Sequence, residues 1–383
     1  LFRGIRLRVW CGLLLPLASL TGFSQSDPRA AALALEQQGQ NPEAEAAWKA
    51  IAEANPQDAE AFAHLGLVES RLENYSASID NYRKALALGP ALPGLEMNLG
   101  LAYFKANQFA AAIQAFSAEL QRQPPQSPAA QRLTILLGMA HYGLGDYFVA
   151  IPYLQRAAAA DPQSLPLRLT LAHSCLWSKQ YDCVMATYKE ILALNADSAE
   201  ADMLAGEALD EKGDDAGAVE QFRQAAKADP RQPNVHFGLG YLLWKQKHFD
   251  EAAKEFQAEL DNDPEDWQAR SYLGDSLVEQ NQYEQALPVL EKAAGSASMA
   301  MVERDLGVVY AEAGRKDEAA RELLKAIELD PSDVSPHWRL GKLYQSMGRR
   351  DEAKAQFDIA SAMNKQSSRP LAQEIGGGAN PQR

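Results

Sequence analysis

The stretch NVHFGLGYLLWKQKHFDEAAKEFQAELDNDP (234–264) decides how the rest of the chain is read. Leu239, Gly240 and Leu243 fall at helical spacing and share one face. Ala252 follows Gly240 by twelve residues, Phe256 stands four further on, and Pro264 closes the segment. A small residue, then a second small residue and a large apolar one at fixed offsets, predicts two short helices packed against each other.

The same figure recurs along the chain. Leu-Gly pairs stand at Leu65-Gly66, Leu99-Gly100, Leu137-Gly138, Leu273-Gly274, Leu306-Gly307 and Leu340-Gly341, with Leu171-Ala172 and Ala205-Gly206 in the two gaps. Successive small residues from Gly66 to Gly341 are 34, 38, 34, 34, 34, 34, 33 and 34 residues apart. The large apolar position is filled by Tyr82, Phe116, Leu154, Tyr188, Phe222, Phe256, Leu290, Leu323 and Phe357. A degenerate first unit shows Ala32, Gly39, Ala44, Trp48 and Pro56 in matching places. Glycine costs about 1 kcal/mol relative to alanine inside a helix. Its recurrence therefore points to a close neighbour that a side chain would overpack. Gly145, Gly213, Gly314 and Gly348 sit where each helix must end, and Asp-Pro pairs such as Asp229-Pro230 mark the passage to the next unit. The one long interval places extra residues around Gln121–Pro128, with Ser127 as the helix cap and Pro128 as the first helical residue.

This pattern resembles the tetratricopeptide repeat family, whose units are 34 residues long. The resemblance runs from about Asp27 to Lys365 and implies an all-α fold, a right-handed α-solenoid of tandem helix-turn-helix units. The expected organisation is a signal peptide over 1–24, a degenerate unit over 25–58, nine units over 59–366, and a disordered or weakly capping tail over 367–383. In the tail, Leu371 and Ile375 could lie over the face left open by Ile359 and Met363.

The N-terminus reads as an export signal. Arg3, Arg6 and Arg8 precede an apolar run, Val9–Leu20, and small-residue pairs at Gly22/Ser24 and Ser24/Ser26 offer cleavage points. Twelve apolar residues are too few to span a bilayer, which takes about 20; an uncleaved anchor is the alternative. The expected setting is periplasmic or outer-membrane-associated. Cys175 and Cys183 are the cysteines left once the signal is removed. They either bridge two antiparallel helices or sit as two buried thiols.

Chemistry is not legible. The six histidines are dispersed over different units without metal-ligand spacing. Gly143-x-Gly145 and Gly238-x-Gly240 follow no strand, which argues against a nucleotide loop. A net charge of −14 without a basic run disfavours nucleic acid. The expectation is a non-enzymatic protein with no cofactor and no metal.

The resemblance implies a concave groove lined by the first helix of each unit. At the positions it points to stand Met97, Leu101 and Phe104, then Ile135, Met139 and Tyr142, then Leu169, Leu176 and Trp177. Acids interrupt at Glu200, Glu207, Asp210 and Glu211; Phe237, Tyr241 and Trp244 follow, and then Arg304, Trp338, Arg339 and Lys342. A carboxylate clamp is not expected, because Ala63 and Leu67 stand where its Lys and Asn belong beside Asn98. The expected partner is a protein or peptide segment, either an amphipathic helix or an extended strand, within an envelope complex. The alternative is an accessory module of polysaccharide export or secretion, with the rings stacking on sugars.

Overall fold

The computed structural model describes residues 27–89, 92–296 and 299–367. The expected signal over 1–24, and the tail residues Leu371 and Ile375, lie outside the described residues. Among those described there are twenty α-helices and no strand.

The chain divides into two compact units, 1–144 and 145–383. The first contains α1 (Pro28–Gln37), α2 (Asn41–Ala54), α3 (Ala59–Arg71), α4 (Tyr75–Leu88), α5 (Leu95–Lys105), α6 (Phe109–Arg122) and α7 (Pro128–Leu144). The second contains α8 (Tyr147–Ala160), α9 (Leu165–Trp177), α10 (Tyr181–Leu194), α11 (Ala199–Glu211), α12 (Asp215–Ala228), α13 (Val235–Lys245) and α14 (Phe249–Asn262). It continues with α15 (Trp267–Glu279), α16 (Tyr283–Ser296), α17 (Ala300–Glu312), α18 (Lys316–Leu329), α19 (Val334–Ser346) and α20 (Arg350–Ser367). Within each unit every helix packs against the next, and in the second unit α9 touches α11 while α13, α15, α17 and α19 touch in succession; α11 and α13 are linked by the Asp210–Lys245 ion pair. That row of first helices is the surface on which a ligand would meet several repeats at once.

The repeated residues form the core. Trp48, Tyr82, Phe116, Leu154, Phe256, Leu290 and Leu323 are all buried. The recurrent glycine is where this large side chain lies. A Cβ built on Gly100 would stand 2.5 Å from the ring of Phe116, and one on Gly206 would stand 2.6 Å from that of Phe222. The two helices of a pair can therefore approach only because the side chain is missing.

The turn inside each pair requires one residue in the left-handed region. Gly213 and Gly314 supply it at φ +80 and +74, as expected. At the same place other repeats use Glu73, Asn107, Lys179, Lys247 and Asn281, all at positive φ. The turn geometry thus persists even where the residue is unfavourable for it. The extra residues before α7 lengthen the helix to 17 residues and leave a short loop, with Ser127 Oγ accepting from the Ala130 amide at 3.1 Å.

Candidate functional site

In the first unit, α5 carries Met97, Leu101 and Phe104, and α7 carries Ile135, Met139 and Tyr142; all six are half-buried. Phe104 meets the edge of Phe109 with ring centroids 5.4 Å apart. Half-burial is what a groove-lining apolar side chain shows when its root rests on a neighbouring helix and its tip meets solvent.

In the second unit the aromatic stripe of α13 is one side of a five-ring cluster. Phe237 and Tyr241 stack at 6.4 Å, and Tyr241 and Trp244 at 5.9 Å. Tyr272 of α15 packs edge-on against all three, at 5.9, 5.6 and 5.0 Å. Phe256 of α14 closes the cluster from the core side, 5.9 Å from Phe237. The stripe therefore does not face the groove as a whole. Phe237 and Trp244 rest on the core, and Tyr241 is the exposed member, with 36% of its surface open. The reason is Tyr272, which reaches across from the next first helix and covers its neighbours.

Trp244 is held further by a polar link. Its indole Nε1 donates to Asp275 Oδ2 at 2.5 Å, and Arg304 donates from Nη2 to Asp275 and from Nε to Asp305, at 2.5 and 2.7 Å. Asp275 and Asp305 are buried. Desolvation pushes the Asp305 carboxyl well above its ordinary range, against the attraction of Arg304. Burial opposes the charge of Arg304, yet the Asp305 and Asp275 carboxylates outweigh it and raise the guanidinium pKa. Arg304, expected to be a groove cation, is thus spent inside the protein. Leu176, expected to line the groove, is a core residue: it is 7% exposed.

Trp177 remains 47% exposed at the end of α9, with its ring 4.7 Å from Tyr147 and 5.1 Å from His173. Trp338, also 47% exposed, carries the ammonium of Lys342 over its face at 3.5 Å. Trp338, Lys342 and Arg339 border a recess of about 430 Å³ between α17 and α19. A second recess, of about 280 Å³, lies between α11 and α13 and is bordered by Met203, Glu207, Asp210, Phe237 and Tyr241.

The four acids of α11 at expected groove positions divide in their pairing. Glu200 pairs with His173 at 2.9 Å, Asp210 with Lys245 at 2.6 Å, and Glu211 accepts from the Tyr181 hydroxyl at 3.1 Å. Glu207 has no hydrogen bond or ion pair among the described residues. Desolvation raises its pKa, with His173 acting in the opposite direction.

Cys175 and Cys183 are joined by a disulfide that ties the end of α9 to the start of α10, with Cα atoms 5.7 Å apart. Histidines that sequence spacing leaves as packing residues are held by local hydrogen bonds: His64 with Glu36, His337 with Gln356, and His236 with both Glu255 and the Pro230 carbonyl. Among the described residues no group of three or more His, Cys, Asp or Glu is placed to hold a metal. No described helix is long and apolar enough to cross a membrane.

Sequence reasoning missed Tyr272 and Asp275. The signal available for Asp275 was its register: it directly follows Gly274, where Leu101, Met139, Tyr241 and Lys342 stand in other repeats. Tyr272 had the same signal: it stands two residues before Gly274, as Arg339 stands before Gly341.

Repeated helix pairs with an open face of first helices define a helical-repeat protein, and comparison with known families places it. The chain belongs to the tetratricopeptide repeat family. Tetratricopeptide repeat profiles match residues 29–93, 97–164 and 237–300, with further matches over 141–208 and 334–365. A TPR repeat profile matches 206–247 and 307–348. Among curated proteins, the human Superkiller complex protein 3 is 25% identical over 78% of this chain and 17% of its own length. Tetratricopeptide repeat protein 37 of Xenopus laevis is 30% identical over 39% of this chain and 10% of its own. The peroxisomal targeting signal receptor of Kluyveromyces lactis is 25% identical over 58% of this chain and 39% of its own. The chain thus spans well under half the length of these relatives. Similar solved structures include a tetratricopeptide repeat protein from Parabacteroides merdae (TM-score 0.46, 17% identity, 65% of this chain and 97% of that one). They also include MamA from Desulfovibrio magneticus (TM-score 0.41, 22% identity, 45% and 97%).

Proposed function

We propose that this protein is a non-catalytic scaffold that holds a segment of a partner protein along its first helices. The observation that carries the reading is the row of open rings, Trp177, Tyr241 and Trp338, on first helices of one compact unit. Large aromatics left exposed together usually mark recognition surfaces, and Tyr and Trp are frequent among residues that dominate binding. The segment is helical or extended, with apolar anchors spaced to meet the recesses beside Tyr241 and Trp338. One relative is by its name a receptor for a targeting signal, which agrees with this class of ligand.

The setting in this reading is the cell envelope. Arg3, Arg6, Arg8 and the apolar run Val9–Leu20 support export, and the Cys175–Cys183 bridge suits an oxidising compartment. Fractionation of the native host, with N-terminal mass spectrometry of the recovered protein, tests export.

Selection of a random-peptide display library on the purified chain tests the groove. Enrichment of a motif whose capture falls at least about tenfold in Tyr241→Ala/Trp338→Ala is expected. Equal capture by the double variant would place the binding surface elsewhere. Retention of oligosaccharides in place of peptides would favour the polysaccharide-export reading.

A further inference from the structure

The recess between α11 and α13 differs from its counterpart between α17 and α19 in sign. Both are formed at the same repeat positions. Phe237 and Trp338 stand three residues before the recurrent glycine, and Tyr241 and Lys342 stand one after it. The α17–α19 recess carries Lys316, Arg339 and Lys342 against Glu312 alone. The α11–α13 recess carries Glu207 and Asp210 against aromatic walls, Phe237 and Tyr241.

Three further facts define what would fill it. Its volume, about 280 Å³, lies below the usual range for a drug-sized ligand and suits a single side chain. Asp210 is already taken by Lys245, whereas Glu207, one turn before it, has no hydrogen bond or ion pair among the described residues and feels only the electrostatic attraction of His173. Protein crowds the Glu207 carboxyl enough to raise its pKa by desolvation, although the side chain still reaches solvent. An unpaired carboxylate facing an open ring is completed by a cation.

We infer that the α11–α13 recess is a pocket for an arginine side chain of the bound segment, its guanidinium paired with Glu207 and its plane against Tyr241. Arginine fits better than lysine because its planar, weakly hydrated head can stack and donate in a fork at the same time. Its alkyl stem would lie along Met203 and Phe237. The inference rests on the groove reading and names one residue of the segment.

The test uses the full chain carrying 13C-methyl methionine, with the Met203 resonance identified by Met203→Leu. Butylguanidinium serves as the side-chain probe and butylurea as its neutral isostere. Millimolar butylguanidinium is expected to move the Met203 methyl saturably, and butylurea to move it at least about fivefold less. Glu207→Gln should abolish the difference between the two probes, and Tyr241→Leu should weaken the response while leaving the remaining methyl spectrum in place. An unmoved Met203 methyl, equal response to both probes, or an unchanged response in Glu207→Gln would each overturn the pocket. Peptide capture that survives Glu207→Gln but fails in Tyr241→Ala/Trp338→Ala would reject the pocket and leave the groove standing. Capture indifferent to both variants would reject the groove itself.

Discussion

Gly100 lies directly under the ring of Phe116, sixteen residues further along the chain: a Cβ on Gly100 would come within 2.5 Å of that ring. Because Phe116 is fully buried, the ring cannot retreat without opening a cavity. Overpacking of about 1–3 kcal/mol offsets the gain of about 1 kcal/mol in helix propensity, so Gly100→Ala should destabilise the first unit by up to about 2 kcal/mol. Gly295 in α16 has nothing within 4 Å of its would-be Cβ. Gly295→Ala should stabilise, by up to about 1 kcal/mol. Urea midpoints of the two variants moving in opposite directions check the pair.

The Trp244–Asp275–Arg304–Asp305 chain carries a pH signature. Burial raises the Asp305 pKa above its unfolded value, so between the two values the folded protein holds more protons than the unfolded chain. Its contribution to stability is greatest at low pH and declines as pH rises through that window. Asp305→Asn removes this decline. Its stability relative to the unsubstituted protein should improve as pH rises above the ordinary Asp value of about 4, measured by urea melts in parallel. A constant difference as pH rises would mean that Asp305 is not desolvated.

Removing Arg304 leaves two buried carboxylates without their cation. Arg304→Met should cost about 3–5 kcal/mol near neutral pH, and Asp275→Asn/Arg304→Met/Asp305→Asn should recover most of the loss. A triple variant no more stable than the single one would show that the guanidinium contributes by packing rather than charge.

The Cys175–Cys183 bridge closes a short loop across one helix pair. Loop-closure entropy for eight residues of separation gives about 2–3 kcal/mol. Cys175→Ser/Cys183→Ser should lose roughly that much, and reduction of the unsubstituted protein should match it. Thiol titration of the denatured, unreduced chain should find neither of these cysteines free.

Two rings of α13, Tyr241 and Trp244, should separate by role. Tyr241→Ala should lower stability by under about 1 kcal/mol, since the ring is partly open. Trp244→Ala should cost about 3 kcal/mol or more, because it empties a packed site against Tyr272 and leaves Asp275 short of a donor. Thermal melts of the single variants decide this, and they also show which of the two can report on binding without unfolding.

The repeat itself was determined by the sequence. Each unit must bury the same face against an equivalent neighbour, so the small residue, the large apolar residue twelve-plus-four later and the turn all recur at fixed offsets. Gly240 above Phe256, the helix pairs, the cap at Ser127 and the proximity of Cys175 to Cys183 follow from local spacing. What the side chains of the first helices do was decided by tertiary structure alone. Trp244 is covered because of Tyr272 and bound because of Asp275, 31 residues away; Arg304 is neutralised by the same Asp275 from 29 residues on the other side. Asp210 is taken by Lys245, whereas Glu207 on the same helix has no hydrogen bond or ion pair among the described residues. These outcomes depend on which residue the adjacent pair happens to present at one repeat's distance. The backbone repeats there but the side chains do not, and so exposure and pairing could not be read from any single unit.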